Sequence, residues 1–195
     1  MLNYYKLSTY MWMAFFVILL QGCGVVSHPM YEGQVLDLET HEPIEGAAVV
    51  AIYMTEILTP LQTTSNTIKV REVVTDSEGR FKLPSYTTII MPLSVKDDTK
   101  FVIYKPGYFV VNRMRIGECF SEEGECESRE MIWHSERKDV FYRLSPGKVE
   151  LPRLHTREDR IRVSPFLYDQ EREQAPYTMQ LRRQENKTLK INRGL

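Results

Sequence analysis

The sequence predicts an all-β fold, a β-sandwich of about seven strands, on two observations. From Tyr31 onward apolar residues recur at period two in short runs, the spacing that puts alternate side chains on one face of a strand. Between those runs stand regularly placed turn residues: Pro43 with Gly46, Asp76 with Gly79, Pro106 with Gly107, and Pro146 with Gly147. The chain has 195 residues, 43% of them hydrophobic, which suits one globular core with appendages. The sandwich is assigned to residues 31–148, after a leader over 1–22 and a short tether over 23–30, and before a charged tail over 149–195.

"YEGQVLD" begins the first strand at Tyr31, and the polar turn "LETHEPIEG" leads to a buried strand from Ala47 to Met54. Ile68 to Val74 alternates at period two. In "TDSEGRFKLP" Asp76 can cap a tight turn, Gly79 can take a positive φ without a Cβ penalty, and Phe81 and Leu83 resume the alternation, which together predict a hairpin. "FVIYKPGYFVVN" predicts strands Phe101–Tyr104 and Tyr108–Asn112 about a Pro-Gly turn, and Asp139–Gly147 supplies a last strand with a Pro-Gly stop. Two insertions lengthen the module, 55–67 and the Glu-rich 111–138, and long loops on a rigid sandwich are where recognition usually sits.

These residues resemble the carboxypeptidase regulatory-like domain, a transthyretin-like Greek-key β-sandwich. Gly33 and Val35 fill its opening strand; Thr40, Pro43, Ile44, Gly46 and Ala47 its turn into the second strand. Thr75, Asp76, Gly79 and Phe81 match its Thr-Asp-x-x-Gly-x-Phe turn, and Gly107 and Tyr108 its later Gly-Tyr. The resemblance implies the fold alone, since such modules serve mostly as structural or binding appendages.

The leader has the order of a signal peptide: Lys6, then the apolar run "MWMAFFVILL" from Met11 to Leu20, then a small-residue exit at Gly22. The run falls short of the roughly 20 residues that a membrane-spanning helix needs. Leu20, Gln21, Gly22 and Cys23 resemble the lipobox of bacterial lipoproteins. That resemblance implies cleavage before Cys23 and acylation of its thiol, so that the mature chain would hang from a lipid bilayer by Cys23. Gly24 stands where an Asp would retain an enteric lipoprotein in the inner membrane, which implies the outer membrane, with the domain facing the periplasm.

Cys119 and Cys126 lie seven apart and outside the cytoplasm on this reading, where a nearby pair is expected to be bridged. Six glutamates, Glu118, Glu122, Glu123, Glu125, Glu127 and Glu130, crowd the same segment and raise a metal site as the rival. Calcium takes roughly six to eight oxygens, and no Asp-x-Asp-x-Asp-Gly loop is present, so an acidic lobe held by its disulfide is expected instead, outside the core, with no metal.

The tail is basic, with ten Lys/Arg against six Asp/Glu from Arg153 onward. Ser164-Pro165 and Ala175-Pro176 could each open a short helix, with a thin apolar stripe of Tyr177, Leu181 and Leu189 to pack on the sandwich or await a partner. The whole-chain net charge of −1 gives nucleic-acid binding no support.

"HTRE", His155 to Glu158, matches half of the His-x-x-Glu zinc pattern of a peptidase, but no later His supplies the third ligand. The transthyretin-like hydrolases of purine breakdown carry a His/Arg site and a Tyr-Arg-Gly-Ser terminus, whereas this chain ends "INRGL" with isolated His28, His41 and His134. The sequence therefore predicts a non-catalytic envelope lipoprotein, a binding or scaffolding module without a cofactor. An envelope protein or glycan is its expected partner besides the bilayer. A transthyretin-like small-molecule hydrolase, or an accessory domain of an envelope enzyme, is the alternative.

Overall fold

A computed structural model of the chain describes residues 10–13, 24–58, 63–92, 94–133 and 140–191. The fold is mostly β, 45% strand against 19% helix, with its sheets packed as a sandwich. Among the described residues the strands are β1 (Gly24–His28), β2 (Tyr31–Asp37), β3 (Ala48–Leu58), β4 (Thr63–Val74), β5 (Arg80–Leu83) and β6 (Tyr86–Ile90). They continue with β7 (Ser94–Lys96), β8 (Lys100–Tyr104), β9 (Val111–Met114), β10 (Arg129–Trp133), β11 (Val140–Ser145) and β12 (Lys148–Leu151). A 3-10 turn covers Gly117–Cys119, and helices α1 (Arg157–Arg162), α2 (Asp169–Arg172) and α3 (Pro176–Thr188) follow the last strand. Residues 10–13, within the leader, are helical and exposed.

One sheet has the order β10-β11-β12-β2-β5, the other β4-β3-β8-β9 with β7 also on β3, and β1 and β6 form a separate two-stranded ribbon. Between the two large sheets lies an aromatic-rich core: Tyr31, Val35, Phe81, Leu144 and Leu151 from the first meet Val49, Tyr53, Phe101 and Ile103 from the second. The opposite face of the second sheet is also covered. Val50, Ile52, Val102 and Tyr104 pack there against Leu167, Ala175 and Leu181 of the tail. This explains why "AAVVAIYM" is apolar without a break: β3 is buried on both faces, as strands under covering helices are.

The tail is thus a third layer. Helix α3 opens at Pro176 as expected, with Leu181 and Leu189 buried. Ser164-Pro165 opens no helix; the chain is extended there, and α1 instead starts after Thr156, whose side chain accepts the Asp159 N–H as an N-cap.

Other expectations need correction. The supposed tether over 23–30 contains β1, whose five residues pair with Tyr86–Ile90, because Val25 and Val26 are β-branched and find a complementary apolar strand there. The insertion at 55–67 is mainly strand: β3 and β4 pair on from Met54↔Thr67 to Leu58↔Thr63, after a register shift at Tyr53/Met54. Thr-rich sequence suits a strand extension as well as a loop. The insertion at 111–138 contains β9, the 3-10 turn and β10, the last paired with β11, so among its described residues both strands belong to the sandwich. The Asp76 turn is not a hairpin, because β4 and β5 lie in different sheets and the turn carries the chain across the sandwich. These extra strands raise the number above the seven expected.

Candidate functional site

Cys23, the residue that the lipobox resemblance singles out, lies outside the described residues, as does His134. Its neighbour Gly24 is already the first residue of β1. No slack chain separates the folded unit from Cys23, and whatever holds that cysteine holds the ribbon.

The ribbon is fastened by His28 at the end of β1. Its ring is fully buried, in edge contact with Tyr53 at 4.7 Å and stacked on Tyr86 at 6.1 Å between centroids. Nδ1 lies 3.3 Å from the Thr99 hydroxyl, which also receives the Tyr31 hydroxyl at 2.9 Å. Nε2 and the Tyr53 hydroxyl have no hydrogen-bond partner among the described residues. Burial, then the nearby Lys96 ammonium, pushes the imidazole down to about 4, and burial pushes the Tyr53 phenol up to about 12. At neutral pH both groups are uncharged, and neither is open to solvent. Chemically, this cluster can clamp a strand.

At the other end of the sandwich Asp37, 1% exposed, gathers four donors around one carboxylate. Glu39 and Thr40 donate backbone N–H groups to Oδ1 at 2.8 and 3.1 Å, an Asx turn, while the Tyr108 hydroxyl at 3.1 Å and Arg153 Nε at 2.5 Å donate to Oδ2. Burial alone would raise this carboxyl, but the Thr40 and Glu39 donors, followed by Arg153 and Tyr108, outweigh it and hold the pKa below the usual value. A carboxylate so fully occupied orders the turn and ties β12's exit to β2. Sequence reading passed over it because Tyr108 and Arg153 are brought in only by the fold; the local signal was an Asp two residues before a turn.

Cys119 and Cys126 are bonded, with sulfurs 2.07 Å apart. Cys119 is 3% exposed and sits with Ile116 and Phe120 in the main core, so the first half of the acidic segment is a plug and not an outlying lobe. Two of its glutamates are engaged: Glu118 with Arg129 at 2.6 Å, and Glu130 with Arg143 at 3.1 Å. Among the described residues no cluster of three or more His, Cys, Asp or Glu side chains could hold a metal. His155, from the half-match to a zinc motif, meets Glu39 at 3.1 Å, and Thr156 beside it is the helix cap.

An open groove of about 860 Å³ runs along the sandwich edge where the Asp76 turn carries the chain from β4 to β5, lined by Glu32, Gln34, Val73, Asp76, Arg80 and Lys82. Its charges are internally matched, Lys82 with Glu32 at 3.1 Å and Arg80 with Asp76 at 3.4 Å. The groove offers a surface of mixed polarity for a partner. It contains the turn and strand residues Gly33, Asp76, Phe81 and Gly147 that the sequence marked for folding, and none of the cysteines, histidines or clustered glutamates that it marked for chemistry.

Compared with family models, curated proteins and solved structures, the chain matches none.

Proposed function

We propose that the chain is a lipid-anchored envelope protein whose sandwich is a non-catalytic binding or scaffolding module, facing the periplasm from the outer membrane. The observation that carries this reading is the sequence Leu20-Gln21-Gly22-Cys23 running directly into a strand at Gly24. An acylated residue there would leave the leader on one side and a folded unit on the other. The bonded Cys119 and Cys126 suit an oxidising compartment. The transthyretin-like Greek-key reading is supported by its motif positions: Gly33 lies against Phe120, Gly79 has φ of 69°, and Gly107 has φ of 86°.

Non-catalytic service is favoured because the four buried acids among the described residues, Asp37, Asp97, Glu171 and Glu185, are each paired with an arginine of the fold. The groove between β4 and β5 is the surface assigned to an envelope protein or glycan. The test is the mass of the mature N-terminus. A diacylglyceryl and N-acyl addition on Cys23, abolished in Cys23→Ser together with processing, is expected. An unmodified Met1 in the membrane fraction would overturn the anchor.

A further inference from the structure

The outer face of the β1–β6 ribbon is apolar at one end and polar at the other. Val25 pairs with Ile89, and Ser27 pairs with Thr87, so the four share one face by the alternation of a strand. Val25 is 72% exposed and Ile89 70%, while the Ser27 and Thr87 hydroxyls meet at 3.2 Å. Met91, 71% exposed, continues the apolar end into the turn in which its carbonyl accepts the Ser94 N–H, and Val95 follows at 41% exposed. The apolar end is the one adjoining Cys23; the polar end leads to the buried His28. Tyr86 to Val95 contains no charged side chain, although 26% of the chain is charged. Gly24 to His28 adds none besides His28 itself, which is neutral at pH 7.

Rise along a strand is about 3.3 Å per residue, so Val25 lies within about 7 Å of Cys23. A residue that close to an acylated cysteine is necessarily at the headgroup level, where exposed Val, Ile and Met side chains lose contact with water by entering the acyl boundary. The ribbon's inner residues give it something to push against: Ile90 is buried, and Lys96 on β7 donates to the Ser27 carbonyl at 2.9 Å, fixing the ribbon to the body.

We propose that Val25, Ile89 and Met91 form a foot that seats in the interfacial layer of the bilayer. Seating there would set the orientation of the sandwich on the membrane. This rests on the anchor at Cys23; its own content is that the β6 side, sixty-odd residues away in sequence, also enters lipid. The acylated full-length protein with Ile89→Trp, and separately with Met91→Trp, is reconstituted in phosphatidylethanolamine/phosphatidylglycerol vesicles with or without acyl-chain bromination. Phe141→Trp, on the far sheet, is the control, and the emission of the unsubstituted protein is subtracted. Emission from positions 89 and 91 should fall about twofold in brominated lipid and that from 141 should not. Equal emission in both lipids at 89 and 91, with the acyl mass on Cys23 confirmed, overturns the foot and leaves the anchor standing. A ribbon shielded by a second copy of the chain would give the same unquenched result and so counts against the proposal. Absence of the acyl mass overturns the anchor, and the foot with it.

Discussion

Glu72, on strand β4, caps helix α3 from outside the helix: its Oε1 accepts the Thr178 N–H at 2.7 Å and the Thr178 hydroxyl at 2.6 Å, and its Oε2 the Tyr177 N–H at 2.8 Å. The residue at the cap position itself, Ala175, has no side chain that could accept, and Pro176 lacks an N–H. A carboxylate at the positive end of the helix also opposes its dipole. Glu72→Ala should therefore cost about 1–2 kcal/mol in urea denaturation, and Glu72→Gln less. Faster amide exchange confined to α3 would accompany it; unchanged exchange at Tyr177 and Thr178 would refute the cap.

Gly79 holds the turn that crosses between the sheets. Its φ is 69°, and a Cβ built there would stand 2.5 Å from the Val35 carbonyl oxygen. Gly79→Val meets both the positive φ and the backbone clash, so a loss of more than about 2 kcal/mol is expected, read as a fall in the denaturant midpoint.

Reduction of the disulfide should weaken the whole sandwich. Cys119 is buried among Ile116, Phe120 and Phe101, whereas Cys126 is half-buried at the edge, so Cys119→Ser should destabilise more than Cys126→Ser. The bridge itself contributes about 2–3 kcal/mol through loop closure. Equal midpoints for the two single variants would show that the 3-10 turn is not a core plug.

His28 makes stability depend on pH. Its folded value of about 4 lies below the ordinary imidazole value of 6.5, so the unfolded chain binds the extra proton first. The neutral-His contribution is complete above about 6.5, declines as pH falls through the window down to 4, and is then exhausted, a total of about 3 kcal/mol. Asp37, held below the usual carboxylate value, adds a loss that begins only at about pH 5 and falls mostly below the His28 window. His28→Leu should flatten the slope of unfolding free energy between pH 6.5 and 4. The same slope in wild type and variant would move the titration to another group.

Local chemistry was legible in the sequence where its partners are local. The Asx and glycine signals at Asp76 and Gly79 specify a turn whichever sheet follows, and Asp76 Oδ1 does accept the Glu78 and Arg80 N–H groups at 2.9 and 2.8 Å. That same chemistry cannot say whether β5 returns to β4 or pairs with β2, which is settled by Phe81 and Leu83 finding the inward face beside Tyr31 and Gly33. "GVVSH" read as a tether because its partner, "YTTII", lies far along the chain and neither segment alternates long enough to be decisive. Nothing local in the sequence singles out the half-buried Glu72 or the fully buried Glu171. Glu171 is covered because Thr67 donates to it at 2.7 Å and Arg113 reaches it from β9, contacts that exist only once the tail lies on the sheet.

Among the described residues β2 and β12 form the parallel pair of the fold, Gln34 against Lys148 through Asp37 against Leu151. β2 emerges early during synthesis, yet its neighbour on that side arrives almost last. Until then a strand whose Tyr31, Val35 and Leu36 are destined for burial has an open edge, the state in which nascent chains recruit holding chaperones or pair wrongly. Non-local pairing of this kind slows folding, so maturation should be limited by delivery of the last strand and not by collapse of the first ones. A stop placed before Lys148 would leave that edge unpaired for good and should send the product to proteolysis.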